Sequence, residues 1–323
     1  MSDTTATVKY RKDYAPTDFR IDQVRLDFFL EDEYALVTAE LNLSRRADSS
    51  ATKLFLDGED LELQEIYIDG VALSTERYLL SDEGLQLLDV AESFVLKTVV
   101  KIQPQLNTSL SGLYKSGSMF CTQCESLGFR RITYYLDRPD VMTTFKVSLS
   151  ADKEKFPVLL SNGNLMDSGD TADGRHYSEW HDPHPKPSYL FALVAGDLGV
   201  LRDTFTTCSG KLVDLYVYSE HENADKLAYA MQSLIESMKW DEEVYGFEYD
   251  LEIYNIVAVG DFNMGAMENK SLNVFNTAYV LSSPETATDS DYEGIEGVIG
   301  HEYFHNYTGN RITCRDWFQL TLK

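Results

Sequence analysis

His301–His305 reads HEYFH, within the longer stretch IGHEYFHNYTGNRITCRDWFQLTLK that runs from Ile299 to Lys323. If this segment is helical, His301 and His305 lie one turn apart on the same face, and both imidazoles can reach one ion at about 2.0 to 2.1 Å. Glu302 then sits beside the first histidine, where it can face a water at that ion. Zinc lowers the pKa of such a water towards ~7, and a carboxylate within hydrogen-bond reach takes its proton as it attacks a carbonyl. On this motif alone a plainer alternative stays open, two histidines on a packed or solvated helix face. The preceding SDYEGIEGVIG (290–300) fits the helix, and Gly309 is its expected stop.

Working back from the motif, YDLEIYNIVAV (249–259) reads as a buried strand and GDFNMGAMENKSLNVFN (260–276) as a loop and an edge strand. Leu227, Met231, Leu234 and Met238 recur at helical spacing behind Asn223 as a candidate cap, and core packing is the expectation for that face. KLVDLYVYSE (211–220) alternates as a strand. This second half is mixed α and β. The first half alternates with period 2, as in Val24-Leu26-Phe28, Val37-Ala39-Leu41-Leu43 and Phe145-Val147-Leu149, which predicts antiparallel β. HDPHP (181–185), with prolines between and after its histidines, reads as a solvated turn before a last strand that ends near Gly196. The predicted division is 1–196 and 197–323. A length of 323 residues agrees with two domains, because single cores stop growing at roughly 250 to 300 residues.

Composition narrows the function classes. The chain carries 53 acidic against 28 basic residues, a net charge of -25, which repels phosphate backbones and argues against a nucleic-acid partner. The same field favours a cationic ligand such as a peptide with a free α-amino group. No apolar run approaches the ~20 residues of a membrane helix, and the N-terminal residues lack a secretory apolar stretch, so no membrane partner and a cytoplasmic location are expected. Four cysteines (Cys121, Cys124, Cys208, Cys314) are too scattered for a disulfide framework, and reduced thiols are expected. Cys121 and Cys124 form a lone CxxC; without a second one, neither a zinc ribbon nor a redox pair is favoured.

Several stretches together resemble the zinc aminopeptidases of the aminopeptidase N type, in their bacterial and plant-type branch. They are GAMEN (265–269), GLYKSGSMFCTQCESLGFRRITYYLDRPDVM (112–142), LLSNGN (159–164), KPSYLFALVAGDLGVLRDTF (186–205), SMKWDEEVYGFEYDLEIYNIVAV (237–259) and the HEYFH segment itself. Tyr307 departs from the resemblance, since relatives usually carry tryptophan there.

The resemblance implies a mainly β N-terminal domain, an antiparallel saddle-like β-sandwich, followed by an incomplete α+β thermolysin-like catalytic domain. It implies one zinc ion per active site with His301 and His305 as ligands, and Glu302 as general base. Glu125 and Glu268 are implied to grip the substrate's free amino terminus, with Gln123 lining the pocket for the first side chain. Gly265, Ala266, Met267, Glu268 and Asn269 form the implied substrate-binding strand, whose small first residues suit close approach of a peptide backbone. Two carboxylates around one ammonium favour an exopeptidase, because an internal peptide bond leaves both charges unpaired. A monomer acting on peptide amino termini is expected. The resemblance also implies a third zinc ligand, a glutamate separated from His305 by 18 intervening residues; since 323 − 305 = 18, those are Asn306 through Lys323 and the ligand position falls just past Lys323, and the expectation is that these residues alone are nearly inactive. A thermolysin-like endopeptidase and a non-catalytic module that captures peptide amino termini are the competing readings.

Overall fold

The structure, a computed structural model, describes residues 8–323. Its largest sheet has eight strands in the order Asn164–Asp170, Arg175–Lys186, Thr143–Asp152, Phe19–Leu30, Ala35–Arg45, Ser93–Ile102, Glu62–Ile68 and Val71–Ala72. The period-2 residues of the sequence face inward: Val24, Leu26, Phe28, Val37, Ala39, Leu41, Phe145, Val147 and Leu149 are all buried. Burial of each large member contributes about 1.5 to 3 kcal/mol. One pairing departs from the antiparallel expectation, since Phe19–Leu30 runs parallel to Thr143–Asp152, with Val24 opposite Phe145 and Leu26 opposite Val147. Alternation fixes which face is buried and is silent on strand direction.

A four-stranded sheet (Val158–Ser161, Leu193–Gly196, Met119–Gln123, Gly112–Ser116) and a three-stranded one (Leu54–Asp57, Gly84–Leu87, Tyr78–Ser81) complete the part before Gly199. The HDPHP segment corrects the turn expectation, because it lies inside the strand Arg175–Lys186. Thr143 pairs with Lys186 and Phe145 with Asp182, so residues 183–185 bulge out, and the prolines there remove no ladder hydrogen bond. Asp182 is fully buried and paired with Lys186 at 3.0 Å.

From Gly199 onward the strands belong to a five-stranded sheet, in the order Gly199–Thr206, Leu212–Ser219, Ile253–Val259, Leu272–Asn276 and Ala266–Met267. Helix α1 (Ala228–Tyr245) buries Met231, Leu234 and Met238 against this sheet's second core and stops at Gly246 in the left-handed region. Asn223 does not cap it. That residue sits in a preceding 3-10 turn, where its side chain accepts from Lys226 Nζ at 2.8 Å.

Helix α2 (Asp289–Phe304) carries the HEYFH residues and starts on a capping box. The Thr288 hydroxyl accepts from the Asp291 N–H, and the Asp291 carboxylate accepts from the Thr288 N–H at 2.7 Å. The helix ends at Phe304 with His305 as its C-cap, short of the Gly309 stop that the sequence suggests. Tighter bonds take over there, Asn306 N–H to the Tyr303 carbonyl at 2.9 Å and Tyr307 N–H to the Phe304 carbonyl at 3.2 Å. Among the described residues, no helix is long and apolar enough to cross a membrane. The four cysteines are free thiols, with Cys121, Cys124 and Cys314 buried. Burial pushes the Cys121 thiol up to about 12, so it carries little thiolate near neutral pH.

Candidate active site

One turn of α2 brings the Nε2 atoms of His301 and His305 to 3.0 Å from each other. His305 Nδ1 lies 2.7 Å from the Thr308 carbonyl oxygen, which can only accept, so Nδ1 donates and Nε2 is the nitrogen turned towards His301. Two imidazole nitrogens that share a tetrahedral zinc at about 2.05 Å stand about 3.3 Å apart, so the pair is set for one ion with little movement. Burial, then the neighbouring His305, hold the His301 imidazole below the ordinary histidine value, in the neutral form a metal requires. Gly309 is part of this arrangement. Its φ is +129°, and a Cβ there would stand 2.9 Å from His305 Nδ1.

Glu302 is buried, with one carboxylate oxygen lacking any protein partner. Burial, then the charge of Glu268, push its carboxyl up to about 8, close to the working range of a general base. Donor atoms of Glu268, Glu302 and His305 all lie within 4.8 Å of one another. The residues thus fit a zinc site chemically: two imidazoles one helical turn apart, one held by the Thr308 carbonyl, beside an orphaned buried carboxylate oxygen.

Glu268 follows the edge strand Ala266–Met267, and two contacts hold its loop. Asn310 Nδ2 donates to the Glu268 carbonyl at 2.9 Å, while Asn310 N–H donates to the His305 carbonyl at 2.9 Å, so one residue ties the loop to the helix end. Two residues on, buried Lys270 donates to Asp250 at 2.6 Å and to Asn306 Oδ1 at 2.9 Å. The LLSNGN stretch reaches the same loop: Asn162 Nδ2 donates to the Lys270 carbonyl at 2.9 Å, and the Gly163 N–H donates to Ser271 Oγ at 2.6 Å. Gly163 has φ +94° and lies so close to the His181 backbone that a Cβ would meet it at 2.2 Å, so only glycine fits.

Glu125 hangs just past the strand Met119–Gln123 of the four-stranded sheet. The ammonium of Lys323 lies between the two carboxylates, 2.6 Å from Glu125 and 2.5 Å from Glu268, and over the Tyr189 ring at 4.9 Å. Burial opposes the charge on Lys323, but Glu268 and Glu125 outweigh it and hold the ammonium above the ordinary lysine range. Burial, then Glu268, push the Glu125 carboxyl above its ordinary value in spite of Lys323.

The structure therefore brings together His301, Glu302, His305, Glu268 and Glu125. Gln123 is buried beside Glu125, its side-chain amide donating to the Glu125 carbonyl at 3.4 Å and lying 3.0 Å from Met264 Sδ. Gly265 is exposed beside the edge strand and Ala266 is on it. Met267 is fully buried in the larger apolar core, and Asn269 is buried with both side-chain polar atoms unpartnered. Neither side chain contacts the cluster of acids and imidazoles through a hydrogen bond. Sequence reading missed Lys323, Tyr189, Lys270 and Asn310. No local pattern marks the first three, while Asn310 follows the conspicuous Gly309. A groove of about 840 Å³ between α1 and α2 opens beside the imidazoles and is lined by Asp241, Glu296, His301, His305 and Lys323 among others. A slightly larger cavity, about 870 Å³, lies against Tyr14, Arg138 and Trp317 and holds none of the residues nominated from sequence.

The chain that carries this cluster is similar to known proteins in sequence and in fold. Residues 16–190 match the Peptidase M1 N-terminal domain and residues 229–323 the Peptidase family M1 domain. The chain belongs to peptidase family M1. It is 55% identical over 316 residues to Aminopeptidase N of Escherichia coli strain K12, an alignment that covers 98% of this chain and 36% of that protein. Aminopeptidase N of Haemophilus influenzae is 53% identical over 319 residues, with 98% and 37% covered. Among solved structures, Legionella pneumophila aminopeptidase A in complex with aspartic acid superposes with a TM-score of 0.93 at 34% identity, over 97% of this chain and 37% of that one. This M1 chain thus spans somewhat over a third of the length of the relatives it matches.

Proposed function

We propose that this chain carries the amino-end recognition and proton-transfer parts of a zinc-dependent aminopeptidase. The observation that carries the reading is the ammonium held between Glu125 and Glu268 beside the imidazole pair. His301 and His305 are the residues that would hold zinc, and zinc when bound would polarise the scissile carbonyl and acidify a water. Glu302 accepts the proton that attack releases, its raised pKa keeping it a competent partner near neutrality. Glu125 and Glu268 bind the substrate's α-ammonium and so fix the first peptide bond at the imidazoles. The Ala266–Met267 edge strand offers main-chain groups to an extended peptide. Thr308 orients His305, and Asn310 keeps Glu268 in register with it.

The division into residues 1–196 and 197–323 belongs to this reading, supported by the change of sheet between Gly196 and Gly199. Under it, Glu125 comes from the first domain and the remaining groups from the second. Residues 1–323 alone are proposed to be nearly inactive, since among the described residues His301 and His305 are the two imidazoles that meet at the site. The test compares an alanyl chromogenic substrate with its N-acetylated form, in this chain and in a polypeptide of the relatives' length. Cleavage of the free form alone, lost in E125Q and E268Q, supports the reading. Equal cleavage of the blocked form favours an endopeptidase, and no zinc uptake by either protein favours a peptide-binding module.

A further inference from the structure

We propose that Lys323 is the resident occupant of the amine-binding cage, so that a ligand ammonium binds by exchange with it; the inference rests on the aminopeptidase reading of Glu125 and Glu268. The cage has three walls: the Glu125 carboxylate at 2.6 Å, the Glu268 carboxylate at 2.5 Å and the face of Tyr189 at 4.9 Å from Nζ. Tyr189 is 1% exposed and its hydroxyl is spoken for by Thr313 Oγ1 at 2.6 Å, so the ring is fixed as a wall. A primary ammonium between two carboxylates and over an aromatic face is chemically the same object whether it ends a lysine side chain or begins a peptide. Both cannot occupy the space at once, and a third position for a cation is absent among the groups that contact Nζ.

The lysine has a reason to be there. Two buried carboxylates without a cation repel each other and lose their hydration, so an internal ammonium offsets that repulsion and holds them in place until a ligand arrives. The consequence is a lower apparent affinity for amines. When only a fraction of molecules has the cage open, the observed dissociation constant rises by the inverse of that fraction. A tethered side chain acts at an effective concentration in the millimolar range, so exchange favours ligands that bring further contacts along the edge strand over free amines.

Lysine-selective nitrogen NMR of the zinc-free chain reads the occupant directly, with alanine amide as the probe. The expected result is a slowly exchanging Lys323 Nζ signal that is lost in E268Q and moves to the position of a free lysine as alanine amide saturates. K323M should bind alanine amide at least tenfold more tightly than the parent, and K323R should stay weak. The inference is overturned by a free-lysine Nζ signal in the unliganded chain, by saturation that leaves the signal unmoved, or by K323M binding within threefold of the parent. In those cases hydrolysis by E125Q and E268Q still decides the aminopeptidase reading. Equal amide binding by K323M and by K323M with E268Q overturns the carboxylate reading, and the inference with it.

Discussion

Replacement of Lys270 by methionine tests how the site is held together. Lys270 is almost fully buried, its ammonium 2.6 Å from Asp250 and 2.9 Å from Asn306, the residue that follows His305. Asp250 also pairs with Arg311 and lies 3.5 Å from His184, so it keeps cationic neighbours after the change. Removal of one partner from a buried pair costs about 3 to 5 kcal/mol. The remaining Arg311 places this case at the lower end, about 3 kcal/mol. Urea unfolding followed by tryptophan fluorescence should show a midpoint lowered by about 1 M for a slope near 3 kcal/mol/M. D250N with K270M should be less damaging than the sum of the two single changes by at least about 1 kcal/mol. Burial pushes the Asp250 carboxyl up, but Lys270 outweighs it with help from His184 and Arg311, and the carboxyl ends below its ordinary value. Its stabilising contribution is therefore complete above pH ~4 and lost as pH falls through the lower folded value, so K270M should unfold at higher pH on acidification. A K270M midpoint within ~0.3 M of the parent, with additive double-mutant behaviour, would falsify the claim that this pair fixes the loop bearing Glu268.

Four further outcomes are expected. D241N should stabilise the chain above pH 6: burial, then Glu242, push the Asp241 carboxyl up to about 6, and one of its oxygens has no partner. With the folded value above the unfolded one, stability falls as pH rises from about 4 to 6; the gain near pH 7.5 is about 1.5 kcal/mol after discounting a ~3 kcal/mol shift for water in the groove, and it vanishes at pH 4 in thermal melts. G297A should raise stability by about 0.5 to 1 kcal/mol, because Gly297 lies inside α2 and a Cβ there meets nothing within 4 Å; a loss of stability would show the groove to be occupied. G309A should weaken zinc binding in equilibrium dialysis by about tenfold or more, as the added methyl tilts His305 from Thr308; unchanged affinity would remove Thr308 as the orienting group. G163A should be destabilising by more than about 2 kcal/mol in chemical denaturation, through its clash with the His181 backbone and its positive φ.

What could be read from sequence is local in character. The i, i+4 spacing of His301 and His305 and the alternation of Val24, Leu26 and Phe28 are set by the geometry of a single element, and the structure shows both on the expected faces. The parallel pairing of Phe19–Leu30 with Thr143–Asp152 was beyond that reading, because the inward residues of parallel and antiparallel strands look alike. HDPHP was misread since its prolines suggested a turn, while the bulge that accommodates them depends on the partner strand. Glu125 stood out only through resemblance to a family, as nothing near it in the chain is an acid partner and Glu268 meets it through the fold. Lys323 was invisible for the same reason. A lysine is an ordinary surface residue until two sheets place carboxylates at its tip.

Glu125 descends from the four-stranded sheet and Glu268 from the loop beside the five-stranded sheet's edge strand. Any cation that spans them is thus a removable rivet between two separately built slabs of the protein. Thermal unfolding should register it, since a ligand that binds only the folded form at 100 times its dissociation constant adds about 2.7 kcal/mol. An amine at this position would then report, as a change in melting temperature, the alignment of strands that lie far apart along the chain.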